Sequence, residues 1–335
     1  MIKAIAPGKI ILSGEHAVVY GQPAIVQAVS LYSTSQLIAN NQKGFTFALP
    51  DLNHLATLSI TEVLHIKEKL HERFQRFRMN KLAIEKVITN PVQPFAYILA
   101  THIAKSEIQK THYTALTTCS EIPVGCGLGS SAATVASSTM ALCAYYRLKI
   151  TTTELFNLTF EIEKFHHGSP SGVDPYITVH GGTVEFHNKG AKPLPSPPLP
   201  LFLVNTGKPR SGTGQCVARV KKRFGKSNIW SEFADVSGNM VKAIKTKNEK
   251  AFCTSIKNNH RLLSKIGVVP AIIENFISDI EALGGTAKIT GAGAIKGEAG
   301  GIVLICIDDP PCDLFKKYNF ELLTAHEDSR GVRTI

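Results

Sequence analysis

The sequence predicts an α+β protein of two units, on three observations. Segments of strand character alternate with segments of helical period in both halves of the chain, without an internal repeat. At 335 residues, 44% of them hydrophobic, the chain can bury one large core or two medium ones. Between the halves, AKPLPSPPLP at 191–200 holds five prolines in ten residues. Proline suits neither a helix interior nor a central strand, so this stretch reads as a connection. The expected division is an N-terminal unit over 1–190 and a C-terminal unit over 191–335.

The elements follow from local pattern. Residues 10–12, 17–20 and 24–30 are apolar or alternating and are punctuated by Gly8, Gly14 and Gly21, which predicts short strands. Apolar residues at three- and four-residue steps (Val63, Ile66, Leu70, Phe74, Phe77) predict a helix over 62–88. Pro91 and Pro94 limit it and start another over 95–109. A strand over 113–119 feeds a glycine-rich loop and a helix over 131–147. Thr152 or Thr153 is placed to cap a helix over 153–166, which Gly168 and Pro170 end. Residues 177–186 have strand character. In the second half, a strand at 201–205 precedes helices near 213–224, 229–246, 248–264 and 270–283. A glycine turn, TGAGAIKGEAGG, then leads into the strand GIVLICI.

Composition excludes some classes. No apolar run reaches the ~18–20 residues of a membrane span, and the N-terminus lacks a signal-like apolar stretch. The seven cysteines are scattered and include no C-x-x-C pair, which fits reduced thiols in a cytoplasmic protein and argues against a cysteine metal site. The net charge of +11 is concentrated at 67–81 and 208–226. Such segments read as solvated helix faces or as attractors of anionic substrates. They lack the interleaved aromatic residues of a single-strand nucleic-acid platform, so no nucleic-acid partner and no membrane are expected.

The chemistry centres on PVGCGLGSSAA at 123–133. Gly125, Gly127 and Gly129 let backbone amides turn toward one point and let an anion approach without meeting a Cβ. The helix N-terminus that follows adds unpaired N–H groups and the positive end of the helix dipole. Ser130 or Ser131 is placed to cap that helix or to offer a hydroxyl to a metal. The loop lacks the lysine of a Walker motif and has G-x-G-x-G rather than G-x-G-x-x-G spacing. Alone it reads as an anion-binding loop or as a plain capped turn.

Three other segments bear candidate groups. APGKIILSGEH sets Lys9 and Glu15 at the same strand parity, so both face one cleft if the strand stays regular through Gly14. EKFHHGSPSGVD carries Glu163 at a helix end and Asp174 after a tight loop, just ahead of the expected strand. A loop carboxylate can take a proton from a substrate hydroxyl, and Glu163 with a loop serine can supply oxygens to Mg²⁺. His166 and His167 read as helix-end residues that complement the dipole. KITGAG at 288–293 is a second tight glycine turn.

In order and in type, these four segments resemble the GHMP kinases, the superfamily of galactokinase, homoserine kinase, mevalonate kinase and phosphomevalonate kinase. The resemblance runs from Ala6 to Ile307. Within it, GEHAVV at 14–19 and HGSPSGVD are similar to the mevalonate kinases, whereas phosphomevalonate kinases more often carry Gly-Glu-Tyr at the first place. The resemblance implies a two-domain GHMP kinase fold with the active site in the interdomain cleft, and ATP-dependent phosphorylation of mevalonate with ATP and Mg²⁺. It implies Asp174 and Lys9 as catalytic residues and Ser131 and Glu163 as the metal ligands. Gly125, Cys126, Gly127, Leu128, Gly129, Ser130 and Ser131 would then hold the nucleotide phosphates. Glu15, His16, Ser211 and Thr213 would line the acceptor site. A homodimer is compatible with these features. Phosphomevalonate kinase, another small-molecule kinase of this type and a non-catalytic ligand-binding homologue stay open. The chain departs from the family pattern at Ala294–Ala299, where more glycines are usual, and at SGTG (211–214), where a closer Ser-Thr pair is common.

Overall fold

The computed structural model describes residues 1–104, 113–187 and 190–335. In chain order it begins with strands β1 (Ile2–Ser13), β2 (Ala24–Ala39), β3 (Phe45–Leu49) and β4 (His54–Leu58) and helices α1 (Ile60–Arg78) and α2 (Gln93–Ala104). Strand β5 (Thr114–Ser120), helices α3 (Ser130–Tyr145), α4 (Thr152–His167) and α5 (Val173–His180), and strands β6 (Thr183–His187) and β7 (Gly190–Leu194) follow. Then come β8 (Phe202–Asn205), α6 (Thr213–Phe224), α7 (Ile229–Lys245), α8 (Glu249–Lys265) and α9 (Ala271–Ala282). The last elements are β9 (Thr286–Thr290), β10 (Ile302–Cys306), α10 (Cys312–Tyr318), β11 (Glu321–Leu323) and β12 (Arg333–Thr334).

Two mixed layers result, which is the α+β class the sequence predicts. One sheet has the order β12-β1-β2-β5-β3-β4, with β6 beside the first part of β2 and β7 outside β6. The other is antiparallel, in the order β11-β8-β10-β9. A core cluster that includes Ile10, Leu12 and Ile25 from the first sheet and Leu203, Ile302 and Leu304 from the second joins the two. Met240, Ile244, Phe252 and Ile256, from α7 and α8, fill it. The proline-rich connection begins as an edge: β7 includes Pro193 and pairs only with β6, so the missing N–H costs little.

Helix α3 sits on β1 and β2 and carries the glycine loop at its N-terminus. Ala132, Ala133, Val135, Ala136 and Ala141 are buried, and so are Ser137, Ser138 and Thr139. Small side chains let the helix lie close to the sheet. Their hydroxyls are paired there: Ser137 Oγ and Ser138 Oγ lie 2.8 Å and 2.9 Å from Ser35 Oγ, and Ser138 Oγ also meets Thr118 Oγ1.

Several local expectations change. Residues 17–20 form a 3₁₀ turn rather than a strand, after a break at Gly14. The helix expected over 62–88 starts at Ile60, behind a Ser59–Glu62 capping box, and stops at Arg78 before Asn80 at φ 56°. The cap of α4 is Thr151, bonded reciprocally with Glu154, not Thr152 or Thr153. Residues 177–186 are not one strand. Ile177 and Val179 are buried in α5, and the strand begins only at Thr183, after Gly181 and Gly182. A short β-branched run reads as strand locally, and packing on β1 and β2 overrides it. Residues 105–109, expected to continue the second helix, lie outside the described residues.

The C-terminal segment returns to the first sheet. Glu327 bridges to Val29, and β12 pairs with β1. Asp328, 4% exposed, accepts hydrogen bonds from the Arg330 and Gly331 amides, the Tyr32 hydroxyl and Arg333. Burial opposes its charge, yet these donors outweigh burial and hold its carboxyl below the usual range. Asp328→Ala is expected to cost about 3 kcal/mol, the scale for breaking a buried pair. Denaturant unfolding that leaves the midpoint unchanged would refute this anchoring role.

Candidate active site

The sheet edge, the glycine loop and two helices bring the chemistry together. Lys9 lies on β1 just after a register shift at Pro7/Gly8, where β1 turns its backbone to the loop. The Lys9 amide donates to the Leu128 carbonyl at 2.9 Å. Gly129, at φ 76°, is the residue before α3 and has no side chain to spare: a Cβ there would lie 3.0 Å from Lys9 Cγ and 3.8 Å from Asp174 Cγ. Lys9 and Asp174 pair at 3.2 Å, the lysine buried and the carboxylate about one-third exposed. Asp174 stands in the first turn of α5 rather than before a strand.

Neither loop serine caps α3 with its side chain. The Ser131 hydroxyl donates instead to the Glu163 carboxylate, which comes from the last turns of α4. Glu163 is 2% exposed, and its other oxygen lies 3.4 Å from His167 Nε2. Burial pushes its carboxyl up, against the pull of His167 and Ser131; Asp174 pushes it further up and Lys9 pulls it down. Glu163, Ser131, Lys9 and Asp174 thus share one electrostatic site. His167, read from sequence as a helix-end residue, faces Glu163.

Glu15 lies past the end of β1 rather than on the same regular strand as Lys9. Beyond the regular strand, it turns inward, 1% exposed, and pairs with Lys288 of β9, which is fully buried. Asn259 Nδ2 donates to the second Glu15 oxygen at 2.9 Å, and Lys288 Nζ also donates to the Ile11 carbonyl at 2.8 Å. Thr290 adds to this seam by accepting the Ile11 amide at 2.7 Å. Burial holds the Lys288 ammonium below its ordinary range, with Glu15 opposing and Lys9 adding to the fall. Lys288 and Asn259 were not legible as partners of Glu15, because they lie 273 and 244 residues away.

His16 sits at φ 58°, uncommon for a residue with a Cβ, and its Nε2 lies 3.0 Å from the Ala292 carbonyl. Burial lowers its pKa, with the Ala292 carbonyl and Glu15 opposing, and its Nδ1 is buried with no hydrogen-bond partner among the described residues. The TGAG turn itself packs on the glycine loop: a Cβ on Gly127 would lie 3.3 Å from the Thr290 carbonyl oxygen. Of the two hydroxyl residues on the loop before α6, Ser211 is buried and accepts the Ile295 amide at 2.9 Å, while Thr213 is exposed at the start of α6. Ile295 of the divergent turn packs on the core cluster that includes Val204, Val303 and Ile305.

A loop of amides at a helix N-terminus, a lysine paired with an exposed carboxylate and a buried carboxylate beside a hydroxyl are arranged to hold an anion and to move a proton. The family model for the GHMP kinases N terminal domain matches residues 95–182. The mevalonate kinase of Thermococcus sibiricus is 29% identical over 307 residues, 87% of this chain and 86% of that protein. The mevalonate kinase of Methanocaldococcus jannaschii is 28% identical, across 94% of this chain and 95% of its own. A crystal structure of a mevalonate kinase superposes with a TM-score of 0.81 at 24% identity, covering 98% of this chain and 99% of that one.

Two outcomes test the electrostatics. Glu15→Gln leaves the Lys288 charge buried without its partner and is expected to cost about 3–5 kcal/mol, part of which returns when Lys288→Met is added. Denaturant unfolding of the double-mutant cycle measures the coupling, and additive effects would dissolve the pair. His166, pulled down to about 4 by burial first and His167 second, remains neutral in the fold where the unfolded chain protonates near 6.5. The unfolded state therefore binds the extra proton, and stability falls as pH drops from 6.5 toward 4, by about 3 kcal/mol, then levels. A pH series of thermal unfolding checks the slope, which His166→Leu should reduce.

Proposed function

The chain belongs to the GHMP kinase superfamily, and from this premise we propose that it transfers the γ-phosphoryl group of ATP to the primary hydroxyl of mevalonate, giving 5-phosphomevalonate and ADP. The observation that carries the reading is the Lys9–Asp174 pair set against Gly129 at the head of α3. It places a cation and a proton acceptor where a phosphate held by the loop amides would meet a hydroxyl.

In this reading the amides from Gly125 to Ser131, among them those of Cys126, Leu128 and Ser130, and the α3 dipole hold the β- and γ-phosphates. Lys9 stabilises negative charge on the attacking oxygen. Asp174 takes the hydroxyl proton as the oxygen–phosphorus bond forms and the bond to ADP breaks, and later releases it to solvent. His16 and Thr213 would line the acceptor side of the site. The buried carboxylate of Glu163 and the hydroxyl of Ser131 form a hard-oxygen donor set that would hold Mg²⁺. When bound, Mg²⁺ would neutralise phosphate charge. Positioning and charge stabilisation thus supply most of the catalysis. Glu15 and Ser211, whose polar atoms are already engaged by protein groups, act by holding the cleft walls rather than by reaching the acceptor.

Among the described residues no helix is long and apolar enough to cross a membrane. A cytoplasmic site of action, where ATP is abundant, fits this reading. The excess of positive charge suits two anionic substrates.

Coupled ADP-release assays with mevalonate, phosphomevalonate, galactose and homoserine test the acceptor, with mevalonate expected to give by far the largest kcat/KM. Preference for another acceptor would overturn mevalonate while leaving the kinase intact. Asp174→Ala is expected to reduce kcat by roughly 10²–10⁴-fold with the fold unchanged. Near-normal turnover by that variant would exclude Asp174 as the proton acceptor.

A further inference from the structure

The glycine loop has two ends, and only one has been assigned a cation. Lys9 stands at Gly129. At the other end, a Cβ on Gly125 would lie 2.9 Å from Lys208 Cε and 3.5 Å from its Cγ and Cδ. The aliphatic stem of Lys208 therefore runs across Gly125, in the space the missing side chain leaves. Gly125, at φ 78°, leaves room for a lysine from the C-terminal half of the chain.

The backbone that delivers Lys208 is braced on the loop and on the TGAG side of the cleft. Asn205 Oδ1 accepts the Gly207 amide at 3.0 Å and lies 3.9 Å from the Cys126 thiol. Thr206 Oγ1 donates to the Gly301 carbonyl at 2.8 Å and accepts the Gly300 amide at 3.0 Å. The Gly301 amide in turn donates to Gly207 at 3.2 Å, and a Cβ on Gly301 would crowd the Cys126 carbonyl oxygen at 2.9 Å. Burial raises the Cys126 thiol, and the Lys208 ammonium opposes that rise, so the charge acts on the loop interior. Among the described residues no acidic side chain forms an ion pair with Lys208. An exposed lysine whose stem crosses the glycine loop, with no acidic partner among the described residues, is matched to an anion bound at that loop.

We propose that Lys208 is a phosphate-binding residue contributed by the second unit, which grips the nucleotide's phosphate chain from the Gly125 end while Lys9 acts at the Gly129 end. The inference rests on the kinase reading above. It also makes nucleotide binding a contact of both units, because the amides come from the first and the ammonium from the second.

Lys208→Met keeps the stem and removes the charge; Lys208→Arg keeps a charge. The measurements are KM for ATP and for mevalonate, and calorimetric Kd for ATP without acceptor and for adenosine, which carries no phosphate. The methionine variant is expected to raise KM and Kd for ATP about tenfold, the scale of one hydrogen bond to a charged group at a partly exposed site. Its KM for mevalonate, Kd for adenosine and thermal midpoint should stay unchanged, and arginine should restore ATP affinity. Unchanged ATP affinity in Lys208→Met overturns the proposal, as does equal weakening of ATP and adenosine, which would report a general disturbance of the cleft. A rise confined to the mevalonate KM overturns it in favour of an acceptor contact. Wild-type protein that binds no ATP would overturn the kinase reading itself, a result distinct from these.

Discussion

The buried pair of Glu15 and Lys288 is the constraint on which the cleft depends. Two charges removed from water must satisfy each other closely, and here each has further partners in Asn259 and the Ile11 carbonyl. Because Glu15 follows the end of β1 by two residues and Lys288 lies in β9, the requirement fixes the two sheets relative to each other. Thr290, two residues beyond Lys288, bonds Ile11, two residues beyond Lys9. Lys9 and the TGAG turn are thus positioned by the same seam. The left-handed backbone of His16 is tolerable for the same reason: its neighbour Glu15 and its own bond to Ala292 over-determine it.

A second constraint lies behind the glycine loop. An anion site made of amides is only as well organised as the helix that carries it. Helix α3 is buried on most of its surface and held by paired hydroxyls rather than by bulky apolar side chains. Its serines and alanines permit close approach to β1, which lets the Leu128 carbonyl reach the Lys9 amide. Ser131 is then free to face Glu163 on α4 instead of capping its own helix. The N-terminus is left with amides that the loop glycines do not obstruct.

Much of the architecture was legible because its signals are local. The period of α7, α8 and α9, the prolines of the connection and the glycines of the loop each carry their meaning within a few residues. Helix α6 occupies the range expected of it, residues 213–224. Errors fell where local pattern is ambiguous. The stretch 177–186 is a short apolar run that serves a helix as well as a strand, and burial of Ile177 and Val179 decided between them. The strands β11 and β12 are too short to show a period, and their pairing depends on partners far away in the chain.

By itself the sequence determined the α+β class; it raised the expectation of an anion-binding loop at 123–133, and the family resemblance supplied the roles expected of Lys9, Ser131, Glu163 and Asp174. Those rest on residue type, on spacing and on the order of motifs, all of which are written along the chain. Only the tertiary structure decided that Lys9 pairs with Asp174, that Glu15 turns away from them to Lys288, and that Lys208 lies across Gly125. Strand parity placed Lys9 and Glu15 on one face, but parity holds only while a strand is regular, and the register shift at Ile11/Ser13 and the turn at Gly14 end it. What faces a side chain across a cleft is set by burial and charge among residues hundreds of positions apart, and no local pattern encodes that.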